Sequence, residues 1–172
     1  IAYRDIVILM RATRRWASEF MEVFRAQGIQ VYTDSSGGYF EAVEVDLILK
    51  LLQLIDNRRQ DIPLLSVMRS PIGAFDIAEL TQIRLSYPQG HYYEAVENYR
   101  QNFNDELSHR INLFLEQLES WRERSRLMPI DEFIYKLLME TGYYYYVAAM
   151  PGGKQRQANL EVLVNRARQF QD

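Results

Sequence analysis

Apolar and polar positions follow two different rhythms along this chain. The first is a continuous apolar run, Ile6-Val7-Ile8-Leu9-Met10 after Asp5, the pattern of a strand buried on both faces of a parallel sheet. Trp16, Phe20, Val23 and Phe24 then recur at helical spacing, and Gly28 supplies the stop. Ile29 to Thr33 returns to β-branched and aromatic residues, and Asp34-Ser35-Ser36-Gly37-Gly38 follows as a loop. The opening therefore predicts strand–helix–strand. A lone βαβ unit cannot bury its own sheet, so residues 1–40 are expected to belong to a larger α/β domain.

Beyond that loop the period becomes helical. Glu41 to Asp56 carries Val45, Ile48, Leu49, Leu52 and Ile55 on one face. Asp61 is placed to cap a short helix with Pro63 in its first turn, ending before Ser70-Pro71. Asp76 opens another helix that runs to about Ser86, and Pro88-Gln89-Gly90 punctuates it. The longest helix is predicted from Asn104 to Arg126, with Leu107, Ile111, Leu115 and Leu118 facing inward. Pro129 opens the next, where Asp131, Phe133, Ile134, Leu137 and Leu138 follow and Gly142 closes. The run Tyr143–Tyr146 reads as a packed aromatic cluster at a helix junction, with base stacking as the lesser alternative. Ala158 to Phe170 forms a last amphipathic helix. The fold class is mainly α with a small α/β part: a strand–helix–strand over 1–40 and an all-α bundle over 41–172.

Composition narrows the function. With 48% apolar and 25% charged residues in 172, the chain has the balance of a soluble folded protein, enough for one domain or a small domain plus part of another. The absence of cysteine excludes a disulfide framework, a thiolate zinc site, an iron–sulfur cluster and a cysteine nucleophile within this segment, and makes a reducing cytoplasm the natural compartment. No apolar run is long enough to span a bilayer, so no membrane partner is expected. The first residue is not Met, as expected of an excised piece of a longer protein. A net charge of −3 gives no basic footprint over the whole chain. Basic residues gather at Arg11, Arg14 and Arg15 and at Lys154, Arg156, Arg166 and Arg168, so any contact with nucleic acid is local or shared with further domains.

Catalytic signatures are missing. There is no G-x-x-x-x-G-K-[ST] phosphate loop; Gly152-Gly153-Lys154 lacks the upstream glycine, and Gln155 stands where a magnesium-holding Ser or Thr belongs. His91 and His109 have no second histidine at metal spacing. Glu41 and Glu44, one helical turn apart, read as solvated side chains rather than a metal or acid–base pair.

Ordered strings carry more than any single residue. Tyr3-Arg4-Asp5-Ile6-Val7-Ile8-Leu9-Met10-Arg11-Ala12-Thr13 resembles motif IV of superfamily 1A helicases, in which a strand ends in an arginine. Gly38-Tyr39-Phe40-Glu41-Ala42-Val43-Glu44-Val45 is similar to the next family motif, an aromatic–aromatic–Glu segment opening a helix. Leu54-Ile55-Asp56-Asn57, Asp61-Ile62-Pro63 and Arg69-Ser70-Pro71-Ile72 follow in the order of UvrD-like proteins. Within that group, Gly38 to Ala42, Arg69 to Ile72 and Pro151-Gly152-Gly153-Lys154-Gln155-Arg156-Gln157-Ala158-Asn159-Leu160 resemble the AddA (RexA) subunits of AddAB helicase–nucleases.

The resemblance implies a UvrD-like DNA helicase and a place within it. Residues 1–40 would be the start of the second RecA-like (P-loop NTPase) domain, 2A, and 41–172 its helical insertion, 2B. The family's ATP and Mg²⁺ lie between two RecA-like domains, so this piece alone is expected to bind neither and to be inactive. Whole, such a protein is an ATP-dependent helicase and exonuclease that processes double-strand breaks for recombinational repair, and its partners are DNA and AddB. Arg11 would face the γ-phosphate, where a guanidinium stabilises charge in phosphoryl transfer; on residues alone it is a surface arginine. Tyr39 and Phe40 would lie near the DNA path, stacking on bases or plugging the helix start. UvrD-type proteins carry a Gly-Ile-Gly loop on duplex phosphates where this chain has Ala74-Phe75-Asp76, which leaves Arg69 to make that contact. Lys154 and Arg156, at a glycine-rich turn before a helix, form a second candidate phosphate site beside a plain solvated-loop reading. A function from another class also fits the pattern: a helical interaction module that docks a partner protein.

Overall fold

The computed structural model describes residues 3–9, 11, 13–29, 31, 40 and 42–169. It divides into two compact units, Ile1–Ala42 and Val43–Asp172.

In the first unit a single 3-10 turn (Tyr3–Asp5) precedes helix α1 (Thr13–Ala26). Helix α1 ends as the spacing predicts: the Ile29 N–H donates to the Phe24 carbonyl (2.8 Å) across Gly28. The expected flanking strands are not seen; among the described residues there is none. Residues 6–9 have no regular structure and expose Ile6, Val7, Ile8 and Leu9, and Trp16, Phe20 and Val23 of α1 are exposed as well. A strand exists only through the ladder it makes with a neighbour, and residues 6–9 have no such partner among the described residues. The second predicted strand and its loop fall mostly outside the described residues.

The second unit is a helical bundle: α2 (Val43–Asp56), α3 (Asp61–Arg69), α4 (Ile77–Ser86), α5 (Tyr92–Asn102), α6 (Glu106–Ser125), α7 (Ile130–Glu140), α8 (Tyr143–Ala148) and α9 (Gly153–Arg168). Helix α2 is its axis, packing on α3, α6 and α9. That position explains why α2 buries Leu51 and Leu54 in addition to Val45, Ile48 and Ile55: a helix flanked on several sides loses its polar face. Helices α3 to α6 complete the main core around Met68, Ile83, Tyr99 and Ile111, which Phe133 and Leu137 of α7 join. Helices α7, α8 and α9 pack on one another, and α9 returns to α2.

Helix ends depart from the sequence pattern in instructive ways. Asp61 does not cap its own helix, whose N-cap is Gln60. Its carboxylate instead accepts the Tyr92 (2.8 Å) and Tyr93 (3.2 Å) amides, satisfying the orphan donors of α5 from another helix. Helix α5 itself is not among the elements the pattern predicts, although Tyr92, Ala95, Val96 and Tyr99 are buried at helical spacing. Asp76 and Glu79 form a capping box on α4, and Asp105 caps α6 with Ser108. Tyr143–Ala148, at the junction of α7 and α9, is itself a short helix, and α9 begins at Gly153 instead of Ala158. Gly153 explains that early start: a Cβ there would come within 2.0 Å of the Ala148 carbonyl oxygen, so only glycine permits the close passage from α8 into α9.

Candidate nucleic-acid interface

Arg11 lies at a bend between the 6–9 run and α1, and is exposed. Tyr39 is outside the described residues. Phe40 sits in a turn and is half exposed. These belong to the first unit; Arg69, Lys154 and Arg156 belong to the bundle.

Arg69 is the exposed last residue of α3, and the turn after it is tightly closed. The Ser70 hydroxyl donates to the Val67 carbonyl (2.7 Å) and accepts the Ile72 amide (3.1 Å). The Gly73 amide donates to Val67, that of Ala74 to Ser70 and that of Phe75 to Met68. The Asp76 amide donates to Glu79 (2.8 Å). Each N–H from Ile72 to Asp76 is thus used internally. Gly73 serves packing: a Cβ would lie 2.6 Å from the Met68 Cα. Arg110 seals the turn, donating to the Ala74 carbonyl (2.8 Å), pairing with Glu79 and lying over the Phe75 ring at 4.8 Å. Phosphate binding by a backbone cradle needs free, convergent amides. Here none remain between 72 and 76, so the Arg69 side chain is what this turn offers an anion.

The glycine-rich turn gives Lys154 and Arg156 unlike environments. Lys154 is exposed. Arg156 donates to Glu44 Oε2 (2.5 Å) and to the Pro151 carbonyl (3.1 Å). Asn159 donates to Glu44 Oε1 (2.7 Å). Glu44, 3% exposed, is therefore not the solvated side chain its position suggested; it is a buried carboxylate held by α9. Tyr143 packs nearby, its hydroxyl pushed up to about 12 by burial and then by the Glu44 charge. Arg156 has an internal task that competes with the phosphate contact expected of it. The signal for this pair is long range, one charge on α2 and its partners on α9, which spacing rules do not reach.

The Tyr143–Tyr146 run divides. Tyr143 is buried, whereas Tyr145 is 66% and Tyr146 47% exposed. Among the described residues no three His, Asp or Glu side chains converge as metal ligands do, and no helix is long and apolar enough to cross a membrane.

An all-helical bundle whose first and last helices lie side by side, preceded by a small unit around one helix, is an architecture shared by many proteins; sequence comparison specifies it. The chain belongs to the family of the UvrD-like helicase C-terminal domain, which it matches over residues 1–172. It is 56% identical over 171 residues to a protein of Alkaliphilus oremlandii whose name describes a subunit of an ATP-dependent helicase/nuclease. Proteins of the same name from Alkaliphilus metalliredigens and Syntrophomonas wolfei are 53% and 54% identical. Each alignment covers 99% of this chain and 14% of the relative, so the chain spans about one seventh of the length of the curated relatives it matches.

Proposed function

We propose that this chain is a segment of an ATP-driven DNA helicase/nuclease of the AddA kind, which processes double-strand breaks together with an AddB-type partner. Residues 1–40 are the beginning of motor domain 2A, and the bundle is its 2B insertion. The observation that carries this reading is the match over the whole chain to proteins named as helicase/nuclease subunits. Two structural features support it. The exposed apolar residues Ile6–Leu9 and Trp16, Phe20 and Val23 are what the edge of an incomplete RecA-like sheet would present. The adjacency of α2 and α9 suits a domain inserted into another chain segment.

ATP with Mg²⁺ would lie in the cleft between two motor domains, and this chain would contribute Arg11 to it. Exposure of Arg11 at a bend after the apolar run suits a guanidinium that reaches across to the γ-phosphate. The phosphate loop and metal ligands would come from other parts of the protein. DNA would meet Tyr39 and Phe40 near the single strand, and Arg69 and Lys154 on the bundle, with Arg156 mainly holding α9 in place.

The test is Arg11→Ala in the full-length protein. ATP turnover is expected to fall on the order of 10³-fold or more while DNA binding stays near wild type. Arg11→Lys should rescue little, because an ammonium cannot reproduce the planar fork. A variant with wild-type kcat would reduce Arg11 to a surface charge.

A further inference from the structure

We infer that the cleft between α7, α8 and α9 is a nucleobase site for single-stranded DNA, selective for bases that carry an exocyclic amino group. The inference rests on the DNA-motor reading and takes up the base-stacking alternative for the Tyr143–Tyr146 run, joining it to residues of α7 and α9. An open cavity of about 460 Å³ lies there, walled by Tyr135, Tyr144 and Tyr145, floored by Leu138, and edged by Glu161 and Asn165. Tyr135 and Tyr145 are 54% and 66% exposed, which leaves their rings open to a ligand. Tyr144 and Tyr145 meet edge to face at 5.8 Å, which holds the two rings in fixed planes. Aromatic faces in this arrangement stack any base.

The polar groups at the rim supply selectivity. The Tyr144 hydroxyl donates to Glu161 Oε1 (2.7 Å), which orients the carboxylate and leaves Oε2 to accept from a ligand. A carboxylate oxygen accepts from the amino group of cytosine, adenine or guanine and has no amino donor to meet on thymine. Asn165, exposed at the same edge, can donate and accept beside it.

Charge along α9 suits a strand backbone. Lys154, Glu161, Asn165 and Arg168 recur on one face, spanning about 21 Å from Lys154 to Arg168 at 1.5 Å per residue. Tyr135 also borders a second cleft, where Lys136 and Arg168 stand. Three acids are close by. Asp131 is already paired with Arg168 (2.8 Å), Glu161 is the proposed base acceptor, and Glu132 lines the second cleft and not the aromatic cavity. With Arg168 engaged by Asp131, the exposed cations offered to a strand backbone are Lys154 on α9 and Lys136 of the second cleft, and the acid lining the aromatic cavity, Glu161, is the one the selectivity requires. A protein segment could also use exposed tyrosines, but Asn165 and the oriented Glu161 are placed as base-edge readers.

The experiment is photocrosslinking of the full-length protein to single-stranded oligonucleotides containing iodocytosine or iodouracil, followed by peptide mapping. Iodocytosine crosslinks are expected at Tyr135 or Tyr145 and should disappear in Tyr135→Ala/Tyr145→Ala, while those elsewhere in the protein persist. Binding to oligo-dC should weaken roughly 5- to 150-fold in that variant, the loss of one stacked base. Glu161→Gln should lower the iodocytosine yield roughly tenfold and leave iodouracil unchanged. Crosslinks confined to other regions would overturn this site and leave the motor reading intact. No binding of single strands by the full-length protein would overturn both. Unaltered crosslinks with loss of a co-purifying partner protein in the double variant would reassign the cleft to protein docking and overturn the inference.

Discussion

At the scale of single residues, the buried pair Glu44–Arg156 is the most consequential departure from what spacing suggested. Removing one partner of a buried pair strands a charge, whereas replacing both with apolar groups of similar size is far milder. Arg156→Ala is therefore expected to destabilise the chain by about 2–4 kcal/mol in urea denaturation, at the lower side of the usual penalty because the Arg156 side chain is 28% exposed. The double variant Glu44→Met/Arg156→Met should lose clearly less. Equal losses would mean that the pair contributes only packing. The same geometry separates the two cations for DNA. Lys154→Ala should flatten the salt dependence of duplex binding by about 0.9 in log K against log salt. An equal change on removing Arg156 from a still-folded protein would show that its guanidinium leaves Glu44 for phosphate. Glu44 lies beyond the reach of sequence reasoning because its fate depends on a helix more than a hundred positions away, and local pattern carries no such information.

At the scale of elements, the helices that follow a strong period were legible and those defined by tertiary partners were not. Leu107, Ile111, Leu115 and Leu118 of α6 and Phe133, Ile134, Leu137 and Leu138 of α7 are buried as the spacing demands. Helix α5 escapes pattern because its buried face is built from Tyr92 and Tyr99, whose hydroxyls need partners: the Leu80 carbonyl for the first, Asp105 for the second. Such tyrosines read as surface residues until their partners are known. Two carboxylates at element junctions then set a pH response. The Tyr99 hydroxyl, and next the Ser108 amide, hold Asp105 below its ordinary value of 3.8. The bidentate Arg124 guanidinium holds Glu140 below 4.5, against some desolvation. Lowered folded-state values mean that the unfolded chain takes up protons first as pH drops. Their stabilisation is complete above the ordinary values and is lost as pH falls from about 4.5 through the folded-state values. Asp105→Asn and Glu140→Gln should each shrink the loss of stability between pH 5 and about 2, measured by denaturation at several pH values. An unchanged acid limb in both would show that other carboxylates control it.

At the scale of the whole molecule, the ordered strings shared with UvrD-like helicases are the part of the sequence that speaks about function. Composition and periodicity alone stop at a helical bundle with an incomplete α/β lead. The resemblance to UvrD-like proteins implies a glycine-rich loop where this chain has Ala74-Phe75-Asp76, and the geometry supplies the physical content: the amides from Ile72 to Asp76 are internally bonded. The candidate site was less legible than the fold class, since nothing in the spacing shows that Arg156 is engaged by Glu44. Tyr135 and Asn165 carry no local signal at all. They matter only because α7, α8 and α9 converge. That this chain is one piece of an ATP-driven DNA motor, holding only one side of its ATP site, is tested most directly by magnesium-dependent ATP hydrolysis with and without DNA ends. The full-length protein is expected to hydrolyse ATP in a DNA-stimulated manner, while this 172-residue chain alone shows no turnover above background. Turnover that co-purifies with the isolated chain, or a full-length protein indifferent to DNA, would contradict it.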